Sequence, residues 1–331
     1  MRYRSLGLSG FSVSVLSFGA WQMGDEAFWG VSAEADAERT VNVALDAGIN
    51  LFDTAEMYGQ GESERLLGQC LGKRRGDVLV ASKVSPENCS PERLRQSLEN
   101  SLKRLGTEWI DLYQVHWPPR DTAFSAVWTE LVRLREEGKI RAIGLSNFGP
   151  EDLHEWHDVG DAVSNQVGYN ALFRAPEYDA IPTSRDYELG VLAYMPLMQG
   201  LLSGRYRRIE DIPMMRRRTR HFSGTRTGVR HGEDGHEDLL TATMSELFDF
   251  AEAVGLAPAV LALAWLTAQP GISSVILGAR NPAQLQSNLA AADLDIGPAA
   301  VAQLDEITFP LKLVLGLNCD MWESAQLSRI R

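Results

Sequence analysis

Short runs of β-branched and small apolar residues alternate along this chain with longer stretches whose apolar positions recur every three or four residues. The first pattern reads as buried parallel strands, the second as amphipathic helices packed on one face. Strand-like runs occupy residues 15–19, 50–53, 78–83, 110–116, 142–146, 162–166, 191–194 and 274–277. Helical periodicity lies near 34–47, 62–72, 91–105, 122–137, 150–158, 176–188, 238–268 and 281–292. Ser90-Pro91 and Asn281-Pro282 each put a capping residue before a proline at the first helical position. Ahead of the first strand, residues 2–5 and 11–15 flank a Gly/Ser turn and predict a small hairpin. Regular β-α alternation means a parallel sheet, either doubly wound or closed. Eight strand runs in 331 residues favour closure. The expected fold is therefore α/β, a (β/α)8 TIM barrel with an N-terminal β-hairpin, in one domain spanning residues 1–331. No Gly-x-Gly-x-x-Gly follows the first strand, and Gly59-Gln60-Gly61 lacks the third glycine, which counts against the doubly wound alternative.

One interval breaks the rhythm. Between Tyr194 and the helical pattern resuming near Asp238 lies a long connection after strand seven, rich in Arg, Gly and His. Long loops in compact domains are functional lids or disordered segments, and this one leaves a strand on the face where barrels carry their sites. Arg205, Arg207, Arg208, Arg216, Arg217, Arg218 and Arg220 crowd this segment of a protein whose net charge is −12. A solvated mobile loop and an anion-binding loop both fit that pattern. The overall acidity argues against a nucleic-acid partner. No signal-peptide core and no apolar run long enough to span a membrane occur, so a cytoplasmic protein without a membrane partner is expected. Three scattered cysteines without a CxxC pair point to free thiols and no metal site.

Catalytic residues of a barrel sit at or just beyond the outgoing ends of its strands. Strand two ends in Asp53, with Tyr58 in the loop beyond it; strand three ends in Lys83 and strand four in His116. Singly, each has an ordinary reading: Asp53 as turn chemistry, Tyr58 as a surface aromatic, Lys83 snorkelling at a strand end, His116 as a structural histidine. Together on one rim they suit proton donation to an alkoxide forming on a carbonyl carbon. A lysine ammonium is expected to lower the tyrosine pKa, the carboxylate to hold the lysine charged, and the histidine to orient a substrate oxygen. Hydride must come from a cofactor, because no side chain supplies it.

Asp53-Thr54-Ala55-Glu56-Met57-Tyr58-Gly59, followed by Gly61-Glu62-Ser63-Glu64 and Leu67-Gly68, resembles the signature of the aldo-keto reductases around their aspartate and tyrosine. Val80-Ala81-Ser82-Lys83 and Asp111-Leu112-Tyr113-Gln114-Val115-His116-Trp117 are similar to that family's lysine and histidine strands. The likeness continues through Gly138-Lys139-Ile140-Arg141-Ala142-Ile143-Gly144-Leu145-Ser146-Asn147-Phe148. It runs essentially the whole chain, from Leu16-Ser17-Phe18-Gly19 to Ile276-Leu277-Gly278-Ala279-Arg280. The resemblance implies Tyr58 as general acid/base, Lys83 and Asp53 tuning it, and His116 orienting the carbonyl. It implies a nicotinamide cofactor whose carboxamide meets Ser146, Asn147 and Gln166 and whose ring stacks on Tyr194. Pro196, Leu197, Gln199, Gly200, Leu202, Ser203 and Arg205 would run beside the pyrophosphate, and Gly278, Arg280, Gln284 and Asn288 would hold the adenosine end. Gly19, Trp21 and Asp53 complete the expected cofactor set. An arginine before a helix start suits a 2′-phosphate, so NADP is expected over NAD.

Trp21, Trp29 and Trp117, with Tyr58 and His116, are candidates to wall an apolar substrate pocket. Met195, between Tyr194 and Pro196, stands where relatives often carry a small residue. Residues 214–235 and 318–331 match no family pattern. His154-Glu155-Trp156-His157 is one residue short of a zinc-binding His-Glu-x-x-His, and no Tyr-x-x-x-Lys occurs. The expected activity is NADP-dependent reduction of aldehydes or ketones; a sugar or alcohol dehydrogenase running oxidatively and a cofactor-sensing regulatory subunit are the alternatives. The expected partner is a small carbonyl or sugar substrate. The arginine-rich loop is expected to order on binding the cofactor's phosphates.

Overall fold

The computed structural model describes residues 1–30 and 34–331. The hairpin forms from β1 (Tyr3–Ser5) and β2 (Ser12–Ser14), with Tyr3 opposite Ser14. The barrel begins with β3 (Leu16–Gly19), then two short helices, α1 (Trp21–Gly24) and α2 (Glu26–Trp29), too brief to show a helical period. Helix and strand next alternate through α3 (Glu34–Asp46), β4 (Leu51–Asp53), α4 (Glu62–Leu71), β5 (Leu79–Val84), α5 (Pro91–Leu105) and β6 (Ile110–Val115). The alternation continues with α6 (Phe124–Glu136), β7 (Ile140–Ser146), α7 (Pro150–His157), β8 (Ser164–Gly168), α8 (Ala180–Asp186) and β9 (Gly190–Tyr194). After the long connection come α9 (Glu237–Ala253), α10 (Pro258–Ala268), β10 (Ile272–Gly278), α11 (Pro282–Asn288) and α12 (Gly297–Leu315). Strands β3 to β10 pair in sequence order, all parallel, and β10 pairs back to β3 to close the barrel.

All eight expected strands form. The sixth starts two residues later than its pattern suggests, because Ala162 and Val163 pack on the core from the preceding loop. The 238–268 pattern is two helices bent by 96°, since Gly255 takes φ 69° and Pro258 cannot extend the ladder of α9. The 19-residue α12 lies outside the sequence expectation; Pro298 and the internal Pro310 interrupt an otherwise helical pattern. Asn281 caps α11, its side chain accepting from the Gln284 N–H, whereas Ser90 occupies the cap position of α5 without such a bond. No single described helix is long and apolar enough to cross a membrane; the apolar α10 is buried from Val260 to Thr267.

Two apolar clusters hold this architecture. One fills the layer between strands and helices; the other lies inside the barrel, where Leu51, Ala81, Leu112, Ala142, Leu192 and Ile276 meet Leu6 and Val13 of the hairpin segment. The hairpin therefore plugs the end where the strands begin. Gly7 makes that fit possible, because at φ 49° a Cβ there would lie 2.3 Å from the Val163 carbonyl oxygen. Space for a ligand is left at the opposite end, above the apolar plug.

Candidate active site

Side chains alternate faces along a strand, so the residues two and four positions beyond the interior plug also point inward. Leu51 leads to Asp53, Ala81 to Lys83, Leu112 to Gln114 and His116, and Leu192 to Tyr194. Register sets the neighbours: Asp53 lies opposite Ala81, Lys83 opposite Gln114, and Ser146 opposite Gln166. The fully buried Lys83 Nζ donates to Asp53 Oδ2 (2.6 Å), to the Thr54 carbonyl (2.8 Å) and to the Tyr58 hydroxyl oxygen (3.2 Å). Asp53 Oδ1 accepts from Gln166 Nε2 (2.8 Å) and Gln114 Nε2 (3.3 Å). Each lysine donor is used and both carboxylate oxygens are bonded, which is what lets an ion pair survive burial.

Tyr58 is delivered by a turn, Tyr58–Gly61, in which Gly59 (φ 56°), Gln60 (φ 56°) and Gly61 (φ 93°) are all left-handed. A Cβ on Gly59 would lie 2.0 Å from the Gly24 carbonyl oxygen, so glycine is required there. Burial, then the Asp53 charge, push the Tyr58 phenol well above its ordinary value. The sequence reading expected Lys83 to lower it. The ammonium is itself pushed down by burial, and desolvation wins. His116 meets the Tyr58 ring edge-on at 5.7 Å. Burial, then Lys83 and Arg329, hold its imidazole well below the usual range, and its buried Nδ1 has no hydrogen-bond partner among the described residues.

A cavity of about 590 Å³ opens beside this group. Asp53, Tyr58, Gly19, Gln166 and Tyr194 line its inner end, with Trp21 and Trp29. Trp21 stacks on Tyr58 at 5.8 Å and meets Trp29 edge-on at 5.2 Å, its indole N–H held by Asp25 (2.8 Å). Pro196, Leu197, Gln199, Gly200, Ser203 and Arg205 form one side; Gly278, Arg280, Gln284 and Asn288 form the far end. Met195 (φ 55°), Met198 (φ 45°) and Gln199 (φ 54°) are non-glycine residues in left-handed conformation, the kind of local strain that marks a functional loop.

Four expected residues are placed differently. Leu202 is fully buried and does not line the cavity. Ser146 and Asn147 are buried next to it, where Asn147 Nδ2 donates to Ser146 Oγ (3.1 Å) and Asn147 Oδ1 accepts from the Tyr194 hydroxyl (2.7 Å). Trp117 is taken up by the C-terminal segment: Arg329, paired with Asp320 (2.7 Å), lies 3.7 Å over its ring, and Trp322 meets it at 6.1 Å. Trp322 also lies parallel to Tyr194 at 6.4 Å, so residues that match no family pattern back the site.

The structure divides the seven arginines. Only Arg205 and Arg216 reach the cavity. Arg208 pairs with Glu210, Arg220 with Glu233, and Arg207 lies over Phe248. Arg216 donates to the Gln199 carbonyl (3.1 Å) and the Tyr206 hydroxyl (3.1 Å) and covers Trp29 at 5.2 Å. Sequence reasoning singled out the cluster but not this member. It missed Gln22 and Tyr206 as lining residues, whereas Met195, singled out beside Tyr194, does line the cavity. Arg205, Arg216 and Arg280 line the cavity with no carboxylate partner among the described residues. The Arg280 guanidinium, just ahead of α11, places positive charge at this end of the cavity. A cavity with the Lys83–Asp53–Tyr58 group at one end and, at the other, arginines without a carboxylate partner among the described residues fits a dinucleotide carrying phosphates.

The sequence profile of the aldo/keto reductase family matches residues 15–308. The NADH-specific methylglyoxal reductase of Escherichia coli is 29% identical, covering 94% of this chain and 100% of that protein. The glycerol dehydrogenase AKR11B4 from Gluconobacter oxydans superposes with a TM-score of 0.79 at 30% identity, over 92% of this chain and 94% of that one. An aldo-keto reductase from Klebsiella pneumoniae in complex with NADPH superposes with a TM-score of 0.74 at 28% identity, over 93% and 96%. With closed barrel, matching profile and whole-length relatives in agreement, this chain belongs to the aldo/keto reductase family.

Proposed function

We propose that this protein reduces small aldehydes or ketones with NADPH, using Tyr58 as proton donor. The observation that carries the reading is the Lys83 bond to Tyr58. An ammonium has donors only, so the phenol oxygen accepts there and its own proton is left for a substrate oxygen. Because burial and Asp53 keep the phenol protonated through neutral pH, Tyr58 stands in the donor state. As the proton leaves, Lys83 faces the developing phenolate, and Asp53 keeps the ammonium in place. The neutral His116 donates to the same carbonyl oxygen and orients it. Gln166, joined to Asp53, with Ser146, Asn147 and Tyr194, would hold the nicotinamide end; Arg205, Arg216 and Arg280 would hold the phosphates. When bound, the cofactor supplies hydride to the carbonyl carbon.

The Klebsiella relative's NADPH and the three arginines without a carboxylate partner among the described residues support NADP; the NADH-specific relative makes the cofactor titration necessary. The relative named a glycerol dehydrogenase supports a second reading, in which the same residues run the oxidation of a polyol or alcohol. Tyr58→Phe tests the shared core of both. It is expected to lower turnover of an aldehyde by about 10²–10⁴-fold while leaving NADPH quenching of tryptophan fluorescence intact. Unchanged turnover would remove Tyr58 from the chemistry.

A further inference from the structure

The turn that carries Tyr58 has three successive left-handed residues and no strand ladder of its own, so something outside it must fix its position. One flank is backbone, where Gly59 meets the Gly24 carbonyl. The other flank is a side chain. A Cβ built on Gly61 would lie 2.5 Å from Arg104 Cδ and 2.6 Å from its Nε, so the Arg104 stem lies flat against the end of the turn. Arg104 comes from the last turn of α5. It reaches the site because Gly68 of α4 lets the two helices touch backbone to backbone; a Cβ at Gly68 would lie 2.3 Å from the Leu105 carbonyl oxygen.

Arg104 Nε donates to Glu64 Oε2 (2.6 Å), and its Nη2 donates to Ser101 Oγ (3.2 Å). Glu64 lies one helical turn before Gly68, on the same face of α4, and is fully buried. Its other oxygen accepts from Ser82 Oγ (2.5 Å), the residue before Lys83 on the helix-facing side of β5. One ion pair, with its carboxylate fully buried and its guanidinium half-buried, thus touches the turn bearing Tyr58 at one end and the strand bearing Lys83 at the other. A parallel chain runs from the Ala20 carbonyl through Ser63 Oγ to Thr54 Oγ1, and Thr54 offers its carbonyl to Lys83. A buried ion pair is weak evidence of stability gain, and fixing one geometry is the use this placement serves.

We propose that the Arg104–Glu64 pair is a positioning element that holds Tyr58 at bonding distance from Lys83 from outside the barrel. The proposal rests on the reading of Tyr58 as proton donor. It is tested on the full chain with Arg104→Met and Arg104→Lys, beside Tyr58→Phe. Arg104→Met is expected to lower kcat by about tenfold to a hundredfold, as a displaced proton donor should. Aldehyde KM and NADPH affinity should stay unchanged, and the solvent deuterium isotope effect on kcat should rise. Lysine keeps Glu64 paired but lacks the flat fork that fills the space at Gly61, so Arg104→Lys restores thermal stability and only part of kcat. If Arg104→Met does not fold, Arg104→Gln, which also removes the charge facing Glu64 and the guanidinium beside Gly61, carries the same expectation. A folded Arg104→Met or Arg104→Gln with wild-type kcat and isotope effect, beside an inactive Tyr58→Phe, overturns the positioning role alone. A fully active Tyr58→Phe overturns the proton-donor reading, and this proposal with it.

Discussion

The two ends of the cavity handle charge in opposite ways. At the inner end, Lys83, Asp53, Gln114, Gln166 and Tyr58 satisfy one another within 3.3 Å, so the polar groups are ordered before any ligand arrives. At the outer end, Arg205, Arg216 and Arg280 line the cavity without a carboxylate partner among the described residues, and burial together with Arg280 and Arg205 lowers the Arg216 guanidinium. The first arrangement suits a transition state, where reorganising dipoles during reaction would cost rate. The second suits affinity, because an arriving phosphate relieves a repulsion that the protein leaves standing. Chemistry is preorganised and binding is left incomplete.

Breaking the inner network should have the largest consequence for the fold. In Asp53→Asn the buried ammonium loses its counter-charge, and a loss of about 3–5 kcal/mol in denaturant unfolding is expected. A loss within error would mean that the Thr54 carbonyl and Tyr58 satisfy Lys83 unaided, and the contrast between the two ends would fall.

The arginine-bearing loop is fastened differently, by a buried neutral histidine. His221 Nε2 donates to the Leu172 carbonyl (2.8 Å) and Nδ1 accepts from the Thr219 hydroxyl (3.1 Å). Burial first, with Arg220, His236 and His231 in the same direction, lowers its pKa from 6.5 to about 4. Between these values the unfolded chain binds the extra proton and the folded chain does not. This contribution to stability is therefore full above pH 6.5 and lost as pH falls towards 4. At about 1.36 kcal/mol per pH unit, the window is worth about 3 kcal/mol. Unfolding measured from pH 7 to 4 should show this decline and a smaller one in His221→Gln; equal slopes would remove His221 as the fastening.

Arg280→Ala sharpens the comparison at the binding end with the smallest effect on the molecule. NADPH affinity should fall by about 1.5–3 kcal/mol, the size of hydrogen bonds to a charged group, with NADH affinity nearly unchanged. Equal losses for both cofactors would show that Arg280 contacts a part common to the two.

Much of this was legible without coordinates. Alternating patterns located eight strands because burial between helices on one side and barrel interior on the other leaves little choice of residue. Asp53, Lys83 and His116 stood out because strand ends are where a barrel exposes chemistry, and the period of two then carries those side chains inward. Tyr58 stood out in the loop just beyond Asp53, but the left-handed turn of Gly59, Gln60 and Gly61 that delivers it is visible only in the structure. α12 escaped because its prolines broke the pattern, and Trp322 because stacking on Tyr194 leaves no local trace. Nor did composition distinguish Arg216, which lines the cavity, from Arg220, which is paired with Glu233.

Local periodicity, strand-end residue type and glycine placement are short-range properties, and the amino-acid sequence alone determined them: the barrel, the tetrad and the family they indicate. Which charge meets which is a long-range property of packing. Only the closed structure joined Arg104 to Glu64, set burial above the Lys83 ammonium in deciding that Tyr58 keeps its proton, and brought to one cavity three arginines without a carboxylate partner among the described residues. Desolvation depends on everything packed around a group, and no window of sequence contains that.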